Sequence, residues 1–149
     1  MEKSVVISIK GIQKYEDAPT DTIELVTEGT LTGDGEGYTL TYQESELTGL
    51  EGTRTTIRVE DGGELVTMLR TGQVNAQMVF QVGRRHLAMY NTPYGSMAIG
   101  VNTFHLMADI GDEGGEMEID YAIEIDHNMA GRNIFRIKVK ESHSESLKQ

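Results

Sequence analysis

The sequence predicts an all-β fold, a single antiparallel meander closed into a barrel of about eight to ten strands, on three observations. Apolar and polar residues alternate with period two in one segment after another, the spacing that sends successive side chains to opposite faces of a strand. Seventeen glycines against two prolines, with no tryptophan, supply many short turns and few rigid linkers. No segment carries apolar residues at the three-to-four spacing of a helix. A meander of about ten strands left as one open sheet would twist strongly and expose two edges, so closure is expected, with a two-sheet sandwich as the competitor.

The first strand is read over residues 5–13, where Val5, Ile7 and Ile9 alternate with Val6, Ser8 and Lys10 until Gly11 marks a bend or bulge. A polar loop through Asp17, Pro19 and Asp21 leads to residues 22–31, with Ile23, Leu25, Thr27, Gly29 and Leu31 on one face and Glu24, Glu28 and Thr30 on the other. The glycine-rich run 33–37 turns the chain into Tyr38, Leu40, Tyr42 and Glu44, a strand with its carboxylate on the aromatic face. Thr53, Thr55, Ile57 and Val59 then alternate with Arg54, Thr56, Arg58 and Glu60, and Thr and Ile at this density favour a strand over a helix. A three-residue loop, Asp61, Gly62 and Gly63, would set Val59 opposite Leu65 and Ile57 opposite Thr67. Strands follow at 74–82 and 85–91, separated by Gly83, and at 96–110 after a turn preset by Pro93.

The clearest alternation comes last. Met117, Ile119, Tyr121, Ile123 and Ile125 form one face, and Glu116, Glu118, Asp120, Glu124 and Asp126 the other. On the next strand Phe135, Ile137 and Val139 oppose Arg132, Arg136, Lys138 and Lys140. A loop over 127–131 would set Ile123 against Phe135 and Ile119 against Val139 inside, with Asp120 against Lys138 and Glu118 against Lys140 outside. The domain is read as residues 1–141, with a polar, frayed tail over 142–149.

One stretch resists this pattern. From 99 to 110 both faces are apolar, Val101 and Met107 on one and Phe104 and Leu106 on the other, whereas a barrel strand normally shows water one side. The outer face is therefore expected to be covered by another segment or by a second subunit, with a homodimer contact through Phe104 and Leu106.

Composition removes several function classes. A formal net charge of −11 with no clustered Lys and Arg disfavours nucleic acid and anionic membranes as partners. The absence of cysteine removes disulfides, thiolate zinc sites and cysteine nucleophiles, and suits a reducing compartment. The residues after Met1 run straight into alternation without the pattern of a secretory signal, and no run approaches the ~18 apolar residues of a membrane helix, so a cytoplasmic location is expected.

The stretches IELVTEG (23–29), YTLTYQESELTGLEGTRTTI (38–57), MVFQVG (78–83), YNTPYG (90–95) and NIFRIKVKE (133–141) carry a chain-long resemblance. On them the sequence resembles the YwiB-like family of bacterial β-barrel proteins of unknown function, grouped with calycin-like folds. The resemblance implies a closed or nearly closed antiparallel, lipocalin-like barrel in a Gram-positive cytoplasmic protein. It assigns no activity, cofactor or ligand to particular positions. The Gly-x-Trp motif of a lipocalin and the two helices of a fatty-acid-binding protein are both missing.

The candidate ligand-binding residues are Tyr42, Glu44, Thr53, Thr55, Arg70 and Tyr90. Tyr42, Glu44 and the two threonines would bring a carboxylate and hydroxyls to a barrel mouth, where they orient a small polar group, with Arg70 beside them on a polar rim. The alternative for Glu44 is a strand end in water. His86 shares a face with Tyr90, and His105 is read on the face of Met97, Ile99, Val101, Thr103 and Met107. A hydrogen-bonded core histidine is the commoner role, and without spaced ligands no metal site is assigned. Neither a nucleophile elbow nor a phosphate-binding glycine loop is visible, so no catalytic residue and no cofactor is assigned.

Met68, Met78, Met89, Met97, Met107 and Met117 recur about once per strand, as a soft lumen or as ordinary core filling. The eight acids between Asp109 and Asp126 read as a solvated face rather than a cation site. The expected function is a non-enzymatic module holding a small, partly apolar molecule in the barrel. The alternative is a structural or protein-interaction barrel with a filled interior. An enzyme would require two titratable groups converging in a cleft.

Overall fold

The computed structural model describes residues 1–15, 18–126 and 128–142; the tail expected to fray lies, from residue 143 on, outside them. The described residues form ten strands: β1 (Glu2–Tyr15), β2 (Ala18–Gly33), β3 (Tyr38–Gln43), β4 (Thr53–Glu60), β5 (Leu65–Gly72), β6 (Ala76–Phe80), β7 (Arg85–Thr92), β8 (Gly95–Gly111), β9 (Gly114–Ile125) and β10 (Asn128–Glu141). They make one sheet in the order β6-β5-β4-β3-β2-β1-β10-β9-β8-β7, every ladder antiparallel. The chain is a meander whose first and last strands also pair, from Val5 opposite Glu141 to Lys14 opposite Arg132. No helix among the described residues is long and apolar enough to cross a membrane.

The two ends of this sheet meet, and the barrel is nearly closed. Asn75 and Asn91 exchange two backbone hydrogen bonds of 2.9 Å, and Val82 bridges to Thr103 of β8 at the other end. Between those points β6 and β7 form no ladder. A groove of about 430 Å³ follows this seam, with Leu69, Val79, Leu87 and Met89 along it.

The inward side chains follow the alternation. Val5, Ile7, Leu31, Leu40, Ile57, Val66, Met68, Phe80, Met117, Ile119, Ile137 and Val139 are all buried. Of the recurring methionines, Met68, Met78 and Met117 are core, whereas Met89 and Met97 are exposed.

Two registers differ from the sequence-based expectation, in each case because a turn has a different length. The β4–β5 connection spans Asp61 to Glu64, so Val59 faces Val66 and Ile57 faces Met68 rather than Leu65 and Thr67. Asp61, Gly62 and Gly63 all take positive φ, 52°, 64° and 97°, which lets the chain reverse there. The β9–β10 turn is tighter than a loop over 127–131: Ile125 pairs with Asn128, Asp126 sits at φ 52°, and a bulge between Met129 and Gly131 follows. The register moves by four residues, placing Phe135 opposite Ile119 and Ile137 opposite Met117. An even shift keeps every residue on its expected face. Outside, the charge pairs become Arg136 with Glu118 at 3.3 Å, Lys138 with Glu116 at 4.0 Å and Arg132 with Asp120 at 2.9 Å.

The doubly apolar stretch of β8 also has a local cause. The ladder to β9 passes from Thr103–Tyr121 directly to His105–Asp120, leaving Phe104 as an extra, bulged residue. Inward positions run Ile99, Val101, Thr103 before the bulge and Leu106, Ala108, Ile110 after it. Leu106 therefore packs on the core and not on an outer patch with Phe104, and His105 is carried to the exposed side. The expectation of a covered outer face loses its premise. Phe104 itself is 49% exposed, with the Arg132 guanidinium 4.8 Å from its ring centre.

Arg132 is held in turn by two 2.9 Å bonds to the Asp120 carboxylate, which keep that carboxyl below its ordinary range. A depressed carboxyl contributes stability that is complete above its unfolded pKa of about 4 and is lost as pH falls through the folded value. Asp120→Asn is expected to cost about 0.5–1 kcal/mol at neutral pH and to flatten the loss of stability below about pH 4, measured by urea unfolding at a series of pH values. An unchanged acid limb would contradict this role.

Candidate functional site

The centre of the interior is packed by Ile57, Met68, Phe80 and Ile119. Toward the end that carries the β1–β2, β3–β4, β5–β6, β7–β8 and β9–β10 connections, the inward positions change from branched aliphatics to Gly11, Thr53, Thr55, Arg70, Tyr90 and Asn133. A cavity of about 280 Å³ opens there. Ile9, Ile23, Leu25, Met78, Ile123 and Phe135 make its apolar wall, and Tyr42, Glu44, Arg70, Tyr90 and Tyr121 gather its polar groups. The β3–β4 connection leans over it, contributing Thr48 and Leu50.

Strand register explains the convergence. Tyr42 on β3 pairs with Thr55 on β4, and Thr55 pairs with Arg70 on β5, so the three lie in one row across neighbouring strands. Glu44 follows Tyr42 by two residues and keeps the same inward direction past the strand end. It is not a strand end in water: it is 9% exposed, and its backbone N–H still donates to Thr53 O at 2.9 Å. The Thr55 hydroxyl donates to Oε1 and the Thr48 hydroxyl reaches Oε2, each at 2.9 Å. These bonds fix the carboxylate and tie the overhanging loop to the barrel.

Burial pushes the Tyr42 phenol far above its ordinary range; the Glu44 carboxylate adds to this and the Arg70 charge opposes it. Burial raises the Tyr121 phenol as well. Both phenols stay protonated at neutral pH, that of Tyr42 beside the Glu44 carboxylate. Arg70 has its Nε buried with no hydrogen-bond partner, and among the described residues no carboxylate lies within 4.0 Å of its guanidinium.

Of the six residues singled out from the sequence, Tyr42, Glu44, Arg70 and Tyr90 line the cavity. Thr55 acts through Glu44, and Thr53, fully buried, accepts the Val74 N–H at 3.2 Å and braces the β5–β6 turn. Tyr90 also borders a second groove of about 560 Å³ outside the same end, shared with Leu50, Val74 and Tyr94. The histidines do not come together: His86 Nε2 lies 3.2 Å from Gln81 Oε1, and His105 faces out. The acids of β9 are spent on neighbours, Glu124 holding Arg85 at 2.7 Å and Asn102 at 2.6 Å. Sequence reasoning missed Tyr121, which its inward parity marked, and Thr48 and Leu50, which no periodicity marks.

A family model described as "Domain of unknown function (DUF1934)" matches residues 7–137. The chain belongs to this DUF1934 family. Every residue lining the cavity of this DUF1934 barrel lies within the matched span. A crystal structure of the ywiB protein from Bacillus subtilis superimposes with a TM-score of 0.82, covering 95% of this chain and 93% of that one at 21% identity. At that identity the likeness is one of fold alone, and the family, one of unknown function, rests on the matched model. No curated protein matches the chain.

Proposed function

We propose that this barrel is a non-enzymatic binding module that holds a small, partly apolar molecule in its open end, with Tyr42, Glu44, Arg70 and Tyr90 as the polar contacts. One observation carries the reading: the interior is filled to the centre by Phe80, Ile57, Met68 and Ile119, yet beyond them the same inward positions leave a cavity of about 280 Å³ where polar side chains converge. An apolar cleft with a few placed polar groups is the usual form of a small-molecule site, and this one falls just below the usual range of about 300–1,000 Å³. Glu44, held by the Thr48 and Thr55 hydroxyls beside the Tyr42 phenol, presents a fixed polar group to such a molecule.

Leu25 lines the wall and is half-buried, so a larger side chain there has room to enter the cavity. Leu25→Trp is expected to leave the fold intact and to weaken binding of a small neutral fluorophore such as Prodan by about tenfold or more, read by fluorescence titration. Native mass spectrometry of protein isolated from its own host supplies the companion result, a co-purifying small mass. Undiminished Prodan binding in the variant, or none in the wild type, would sink the reading. The alternative, a protein-interaction barrel, is favoured by the exposed Leu69, Leu87 and Met89 beside the seam.

A further inference from the structure

We infer that the molecule held in this pocket is a small organic monoanion, a carboxylate on an apolar tail, and that Arg70 is the residue that takes the carboxylate. The inference rests on the binding reading above and names its ligand class.

Arg70 stands on the inward face of β5, between Thr55 of β4 and Ala76 of β6. Both neighbours are too short to reach around a guanidinium and satisfy it. Its Nε is buried without a partner. The acid that shares its electrostatic surroundings, Glu44, is turned to Thr48 and Thr55 and makes no ion pair with it. A buried Nε–H without an acceptor costs stability, and the guanidinium fork is shaped for two parallel bonds to a planar carboxylate.

The surroundings select among anions. Arg70 is the one cation among the described lining residues, and Glu44 stands on the same wall, so a dianion such as phosphate would meet too little positive charge. Among the described lining residues no glycine-rich run of N–H groups makes up the difference. The rest of the wall, Ile23, Leu25, Met78, Ile123 and Phe135, offers hydrocarbon to a tail.

With no tryptophan in the chain and Tyr42, Tyr90 and Tyr121 in the pocket, tyrosine fluorescence reports occupancy directly. The wild type is titrated with octanoate, octanamide and inorganic phosphate, and Arg70→Met and Arg70→Lys with octanoate. Octanoate is expected to bind at least about tenfold more tightly than octanamide, and phosphate not to compete. Arg70→Met is expected to weaken octanoate binding about 10- to 100-fold, with Arg70→Lys between it and the wild type. The ligand-free Arg70→Met protein should melt at or above the wild-type temperature, since an unpaired cation has been replaced by an apolar chain of similar length; this also shows that the variant folds. Equal binding of octanamide and octanoate, tighter binding of phosphate than of octanoate, or undiminished octanoate binding by Arg70→Met would each overturn the assignment. If Prodan enters the wild-type barrel and octanoate does not, the carboxylate assignment falls and the binding reading stands; if neither enters, both fall.

Discussion

Phe80→Ala is expected to cost about 3–5 kcal/mol of folding stability, among the largest effects of any single substitution in this chain. Phe80 is fully buried on β6, opposite Val66, with its ring 4.8 Å from that of Tyr121 at a tilt of 59°. The loss combines the transfer free energy of a large aromatic, a cavity that the packed barrel cannot collapse, and a tilted aromatic pair. β6 is only five residues long and lies at the seam, so Phe80 is its main anchor to the core. Urea unfolding of the variant measures the effect, and a cost below about 1 kcal/mol would mean that β6 is not part of the cooperative core. Phe80→Leu, which keeps most of the volume, should lose about 1–1.5 kcal/mol.

The second large effect is expected at Gly29. It lies on the inward face of β2, with Val5 of β1 on one side and Tyr42 of β3 on the other. A Cβ placed there would overlap the carbonyl oxygen of Thr41 and come within 2.6 Å of Ile7 Cδ1. The strands approach this closely because the sheet coils sharply to close, and only a residue without a side chain permits it. Gly29→Val is expected to destabilise by about 2–4 kcal/mol, with Gly29→Ala between it and the wild type, as read from thermal melts. Because Tyr42 Cβ would lie only 3.3 Å from the added carbon, the valine variant should also disturb the cavity. A melting temperature unchanged by valine would show that the close approach is not real.

How much of this was legible in the sequence depends on the kind of information each feature needs. Face assignment needs only alternation, and it holds for Tyr42, Glu44, Arg70 and Tyr90, whose convergence follows from inward parity on strands near the same end. Register needs turn geometry as well. The Asp126 turn and the bulge after Met129 shift β10 by four residues without changing a single face, so the alternation is equally satisfied by the wrong pairing. The bulge at Phe104 is harder still. One inserted residue reverses parity from Leu106 onward, and its sequence trace, two apolar faces on one strand, is the same trace a covered surface leaves. Thr48 and Leu50 sit in the β3–β4 connection, where no period operates, and only the folded backbone brings them over the cavity.

The pairing of β1 with β10 sets an order of events during synthesis. β1 finds β2 as soon as that strand emerges, but its other edge, along Val5, Ile7 and Ile9, has no neighbour until the last strand has been made. Nearly the whole domain must wait, as a curled sheet with one apolar edge open, before its circumference can be joined. The ring is completed only after translation of β10, and until then the strand made first is the one most in need of protection from other chains.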